Sequence, residues 1–118
     1  MKHLAALAFA GFVGWGIALT AQQPPCLHGT AEAPDQLARR RAALQYVRLV
    51  NSLESGRGPV YVQLVDLPEV ATPPQGFSVQ LSTNGETYAL SIKDTTDRCR
   101  FAFFSDQAGV IYAGSPIQ

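Results

Sequence analysis

The segment that most constrains the fold is residues 77–92, in which apolar and polar side chains alternate on both sides of Asn84-Gly85. Alternation with a period of two is typical of a strand with one buried face, because successive side chains point to opposite faces of a sheet. Asn-Gly tolerates positive φ at both positions and therefore favours a two-residue type I′ turn. The segment predicts a β-hairpin with strands over 77–82 and 88–93.

Two further β-prone runs follow the hairpin, at residues 100–105 and 110–112. They are separated by the turn sequence Asp106–Gly109, in which a glycine can supply positive φ. Residues 94–97 would connect the second and third strands. The C-terminal third therefore predicts a four-stranded antiparallel meander.

Residues 35–55 are the one segment with a convincing helical period. Pro34-Asp35 is a good helix start, and Gly56 with Gly58-Pro59 is a good stop. At 100° per residue, seven apolar side chains fall on one broad arc: Ala42, Ala43, Tyr46, Val47, Leu49, Val50 and Leu53. That arc must face the sheet, so the predicted fold class is α+β, with one amphipathic helix packed on the meander.

The charges of the chain limit its partners. The net charge is zero and no basic face is visible, which argues against a nucleic-acid partner. The only run of like charge is Arg39–Arg41, at the start of the predicted helix. We interpret this run as a solvated helix end; the alternative is contact with anionic lipid headgroups or an acidic partner.

The order of features in the C-terminal third resembles the head domain of bacterial type IV pilin-like and type II secretion pseudopilin-like proteins. The features are a Gly76-Phe77 opening, a Thr87-Tyr88 strand, an aromatic strand running into Phe103–Gln107, and a final Gly109–Tyr112. The resemblance covers residues 39–112. It implies a non-enzymatic, exported structural or interaction subunit of a cell-surface filament, secretion apparatus or envelope complex. Its partners would be proteins, including other copies of itself.

The N-terminus departs from the prepilin pattern, because no Glu follows Gly11-Phe12. Residues 1–21 combine a positive start at Lys2 with the uncharged stretch 4–21, which predicts a signal peptide or, alternatively, an uncleaved membrane anchor. Residues 22–34 would be a proline-rich linker and residues 35–118 the pilin-like domain.

The export signal predicts an extracytoplasmic location, in the periplasm, at the cell surface or in the medium. Contact with a membrane is expected only if residues 4–21 are retained. Two other functions stay open: a membrane-tethered accessory subunit facing outward, and a stand-alone periplasmic or extracellular binding protein.

Cys26 and Cys99 are the only cysteines, an even number in a chain that carries an export signal. We therefore predict a disulfide between them. After removal of the signal peptide His28 is the only histidine, and it lies in the linker, so a catalytic triad has no well-placed base. No phosphate-binding glycine loop or nucleotide motif occurs. We predict that the protein is not an enzyme and has no cofactor, with the exception of a calcium site considered next.

The segment Asp94-Thr95-Thr96-Asp97 offers carboxylate and hydroxyl oxygens, the hard ligands that calcium prefers. Some pseudopilins bind calcium in a loop near the C-terminal sheet, so the resemblance implies Asp94 and Asp97 as candidate calcium ligands. The alternative is an ordinary turn, in which aspartate is favoured for its local hydrogen bonds.

Aromatic residues on both faces of one short strand indicate an interface. Phe101 and Phe103 cannot share a face with Phe104, and the next strand is also apolar on both sides. A one-sided core cannot cover all of these groups, and uncovered apolar surface favours an interface. We predict Phe103 in the core, and Phe104, Asp106 and Ile111 at a protein interface.

Overall fold

The computed structural model describes residues 33–57, 59–96 and 100–114. Its elements follow one another in the order α1 Pro34–Ser55, a short 3₁₀ helix Leu64–Asp66, β1 Phe77–Thr83, β2 Tyr88–Asp94, β3 Ala102–Asp106 and β4 Ile111–Gly114. The strands form one antiparallel sheet in the order β1-β2-β3-β4. The predicted α+β fold, a helix on a four-stranded meander, is confirmed. The proposed signal peptide or anchor and most of the linker lie outside the described residues.

Helix α1 starts where its sequence favours a start. Pro34 occupies the first turn, where its missing N–H would have no partner in any case, and Asp35 places a negative charge at the positive end of the helix dipole. The helix ends at Ser55, and Gly56 keeps a right-handed φ of −73°. Within the described residues, no helix is both long and apolar enough to cross a bilayer.

The core lies between α1 and the inner face of the sheet. Ala43, Val47 and Val50 of the helix are fully buried, in agreement with the predicted arc. They belong to one cluster with Tyr46, Leu67, Tyr88, Leu90, Ile92, Phe101 and Phe103. The helix packs mainly over β2 and β3. Leu64 and Val65 lie beside Val79 and Leu81 of β1, and the nearby Leu67 belongs to the core.

The loop between β1 and β2 differs from the prediction. Thr83 pairs with Tyr88, so the loop has four residues, and a two-residue type I′ turn was wrong. Gly85 has a φ of +94°, but Asn84 does not adopt positive φ. Instead, the Asn84 side-chain oxygen accepts hydrogen bonds from the N–H groups of Glu86 (3.0 Å) and Thr87 (2.9 Å). Asparagine here closes the turn with its side chain, an arrangement that competes with the type I′ geometry.

Candidate docking face and the site that supports it

Strand register gives the sheet two faces of different character. In β2, the side chains of Tyr88, Leu90, Ile92 and Asp94 are buried beneath α1, whereas those between them point away from the helix. Strand β3 extends the pattern, since Ile92 pairs with Phe103. The face toward α1 is called the inner face below, and the opposite face the outer face.

An ion pair joins the start of the helix to the end of β2 on the inner face. Arg39 donates from Nη1 and Nη2 to the two carboxylate oxygens of Asp94, each at 2.9 Å. The side chain of Asp94 is 0% exposed and that of Arg39 is 30% exposed. The Arg39 guanidinium also lies 5.0 Å above the centre of the Phe77 ring. The interpretation of residues 39–41 as a solvated helix end was therefore wrong for Arg39, because a buried carboxylate requires its charge.

Threonine and glycine complete the surroundings of this pair. Thr96 donates to Asp94 Oδ1 from its N–H (2.9 Å) and its hydroxyl (3.2 Å), and Arg39 Nη2 donates to the Thr96 hydroxyl oxygen at 2.7 Å. Gly76 has a φ of +84°, and a Cβ at that position would lie 2.9 Å from Arg39 Nη2. A side chain at position 76 would therefore push the guanidinium away from the carboxylate.

The proposed calcium ligands do not both fall within the described residues. Asp94 is the last residue of β2, not part of the following loop, and both of its oxygens accept from Arg39. Calcium at Asp94 would have to displace that guanidinium, whereas Asp97 lies outside the described residues. In the parts of the chain that the structure describes, no group of three or more His, Cys, Asp or Glu side chains could hold a metal ion. The calcium site stays a prediction, as does the disulfide, since Cys26 and Cys99 also lie outside these parts.

A chain of hydrogen bonds ties the helix to β2 and β3 at the other end of the inner face. The Tyr88 hydroxyl donates to Asn51 Oδ1 at 2.7 Å, Asn51 Nδ2 donates to the Ser105 hydroxyl at 2.8 Å, and Ser105 donates to the Val110 carbonyl at 2.8 Å. Burial raises the pKa of Tyr88 to about 12, with further contributions from Glu54, Tyr61 and Asp106. Tyr88 therefore keeps its proton at neutral pH and acts as the donor that fixes the direction of the chain.

Glu54 is a buried carboxyl group at the end of α1. Its Oε2 accepts a hydrogen bond from the Val62 N–H at 3.1 Å, and its Oε1 has no hydrogen-bond partner among the described residues. Tyr61 packs edge-on against Tyr88, with ring centroids 4.9 Å apart. The end of the helix is thus attached to the segment that covers the β1 side of the core.

The outer face carries three cross-strand rows that follow from the register. The central row contains two aromatic side chains and is flanked by one row with a single lysine and one row with a single aspartate. In strand order, the rows are Ser78–Lys93–Ala102–Gly114, Gln80–Ser91–Phe104–Tyr112 and Ser82–Ala89–Asp106. No described helix or strand packs over this face.

The two aromatic residues form the apolar centre of the outer face. Phe104 and Tyr112 pair directly and are 40% and 59% exposed, whereas Phe103 is 4% exposed. The assignment of Phe103 to the core and Phe104 to the opposite face matches the sequence prediction. A Cβ at Gly114 would lie 3.0 Å from the Phe104 ring, so the ring lies against the backbone of β4. Phe104, Lys93 and Arg100 line a shallow groove of about 770 Å³.

The other two predicted interface residues lie in different places. Asp106 pairs with Ala89, which places it on the outer face with Phe104. Its Oδ1 also accepts from the Ala108 N–H at 2.9 Å, so it stabilises the β3–β4 turn. Ile111 pairs with Ser105 and packs against the core, so it does not share a face with Phe104.

Lys93 and Tyr112 were not among the predicted site residues, although the sequence contained a signal for both. Lys93 belongs to the polar half of the β2 alternation, opposite Tyr88, Leu90 and Ile92. Once β2 and β3 are paired, the same parity that turns Phe104 outward also turns Lys93 outward. Tyr112 follows from one more pairing, with Phe104.

Comparison of the chain with models of protein families, with characterised proteins and with solved structures gives no significant match.

Proposed function

We propose that this protein is a non-enzymatic, exported pilin-like subunit that acts through protein contacts in a cell-surface filament, secretion apparatus or envelope complex. The observation that carries the proposal is the outer face, where Phe104 and Tyr112 lie side by side and exposed. Large aromatic side chains surrounded by small and polar ones are typical of the centre of a protein interface.

The position of the polar groups supports a protein-binding function and not a catalytic one. On the inner face, Asp94 is held by Arg39, and Ser105 is held between Asn51 and Val110. These groups bind one another and join the helix to the sheet. The outer face offers an exposed aromatic pair with Lys93 and Arg100 on one side and Asp106 on the other, which suits recognition of another folded surface.

Photo-crosslinking tests the contact function in intact cells. Phe104→p-benzoylphenylalanine places a photoreactive ring of similar shape at the centre of the outer face, and Arg48→p-benzoylphenylalanine places it on the solvent side of α1 as a control. We expect a protein adduct from position 104 and little from position 48, because Arg48 is exposed and faces away from the sheet. No adduct at 104, or equal adducts at both positions, would contradict the proposal.

The export part of the proposal has its own test. The intact mass of the protein isolated from its cell envelope should be lower than that of the full chain by the mass of about 21 residues if a signal peptide is removed. An unprocessed mass together with an adduct to an integral membrane protein would favour the membrane-tethered accessory subunit instead.

A further inference from the structure

We propose that the partner of the outer face is a second copy of this chain, packed face to face about a two-fold axis that runs across the strands along the Ser91–Phe104–Tyr112 row. This inference rests on the proposed contact function and specifies its partner. Such an interface is isologous, so each copy contributes the same residues to it.

The charges of the outer face favour this arrangement. Lys93 and Asp106 are the only charged residues among the outward-facing positions of the four strands, and they lie in the rows on either side of Phe104. The exposed Arg100, which precedes β3, lines the same groove as Lys93 and adds a second positive charge on that side. A two-fold rotation about the central row lays the Lys93 row of each copy over the Asp106 row of the other. The result is two equivalent opposite-charge contacts. Rotation about an axis parallel to the strands would instead place the Lys93 row of each copy over the Lys93 row of the other, which like-charge repulsion disfavours.

The distances permit these contacts. Packed sheets lie about 10 Å apart and adjacent strands about 4.8 Å apart. Lys93 is on β2 and Asp106 on the neighbouring β3, so the two opposed residues would be offset by one strand. The length of a lysine side chain spans that offset across the gap between sheets. In the same arrangement Phe104 faces Phe104 of the other copy.

The size of the face indicates a weak and reversible dimer. Four strands about 4.8 Å apart and about 20 Å long cover roughly 400 Å² per copy, or roughly 800 Å² in total. Stable complexes bury about 1,200 Å² or more. We therefore expect association only at about 100 µM or above.

Sedimentation of the protein isolated from its own cells tests the arrangement, over concentrations from about 10 µM to about 1 mM. Lys93→Glu and Asp106→Lys should each weaken self-association at least about tenfold, because each variant places like charges together. An equimolar mixture of the two variants should restore the dimer, since each Lys93→Glu copy then opposes an Asp106→Lys copy at both contacts. Arg48→Glu changes the net charge equally on the solvent side of α1 and should leave self-association unchanged.

In sedimentation, the inference is overturned by single variants that associate like the unaltered protein, or by a mixture that does not recover. Thermal melts of each variant establish that it is folded, and Phe104→Ala provides a second, uncharged change at the centre of the same face. The crosslinking experiment separates this inference from the contact function. An adduct with twice the mass of the chain supports both, an adduct with a different protein rejects the second copy alone, and no adduct rejects both.

Discussion

The two faces of this sheet differ in how their side chains are covered, although the same strands form both. On the inner face, a buried charge at Asp94 is matched by Arg39 from a helix 55 residues away, and the Tyr88 hydroxyl is matched by Asn51. On the outer face, Phe104 and Tyr112 stay exposed. On the inner face α1 covers the apolar side chains, and among the described residues only the Tyr46 hydroxyl and Glu54 Oε1 are buried without a hydrogen-bond partner. The outer face has exposed apolar area that another surface could cover.

The difference shows how a small domain can separate stability from recognition. Buried polar groups cost free energy unless they are hydrogen-bonded, and those in the inner network hold the helix in one position. Substitutions there should change the free energy of unfolding. Substitutions on the outer face should change contacts with a partner and leave that free energy nearly unaltered.

The largest expected effect is that of Phe103→Ser on the inner face. Phe103 is 4% exposed and packs against Phe101, with ring centroids 5.6 Å apart. Removing the ring leaves a cavity and buries a hydroxyl, which should cost at least about 4 kcal/mol in the free energy of unfolding measured with urea. A loss below about 1 kcal/mol would mean that the inner face is not the core.

Arg39→Met should have the next largest effect, because it leaves the Asp94 carboxylate buried without its partner. We expect the free energy of unfolding to fall by about 3 kcal/mol. The double variant Arg39→Met/Asp94→Leu should recover part of this loss, since it removes the buried charge as well. Arg48→Met, on the solvent side of α1, is the matched control and should change the free energy by less than about 0.5 kcal/mol. Equal losses for Arg39→Met and Arg48→Met would contradict a role for the ion pair.

The strands and the helix could be predicted because their signals are local. Alternation in 77–82 and 88–93 specified the hairpin, and the arc around Val47 specified the face that α1 buries. The predicted third and fourth strands, 100–105 and 110–112, are displaced by one or two residues, to Ala102–Asp106 and Ile111–Gly114. Ends of short strands depend on pairing with neighbours, which a single segment does not encode.

The polar partners were missed because each pair joins distant segments. Asp94 continues the buried parity of Tyr88, Leu90 and Ile92, and an aspartate at a buried position requires a partner. Arg39 lies one helical turn before Ala43 on the buried arc, and it could have been chosen as that partner. Glu54 lies one turn after Val50 on the same arc. The position of each charged residue on the buried arc of the helix, or among the alternate buried positions of the strand, thus indicated that it was buried. It did not indicate which of these residues pair.

Alkaline pH should lower the free energy of unfolding through Tyr88 on the inner face, but not through Tyr112 on the outer face. Burial raises its pKa from 10 to about 12, so the native state holds the phenolic proton more tightly than the unfolded chain does. This stabilisation is fully present below pH 10 and is lost as the pH rises from 10 to 12, by at most about 2–3 kcal/mol. Urea unfolding across this range should show a smaller fall for Tyr88→Phe. Tyr112→Phe, on the exposed face, should retain the fall of the unaltered protein, and equal behaviour of both variants would contradict the assignment to Tyr88.

The smallest expected effect on stability is that of Phe104→Ser. The ring is 40% exposed and contacts the sheet near Gly114, so its loss should lower the free energy of unfolding by less than about 1 kcal/mol. The same change removes the centre of the outer face, and it should weaken self-association in sedimentation at least about tenfold. Its matched control is Gln80→Ser, an exposed position in the same cross-strand row but without an aromatic ring. If Phe104→Ser destabilised the fold as strongly as Phe103→Ser, the two faces would not have separate tasks, because both rings would then belong to one core.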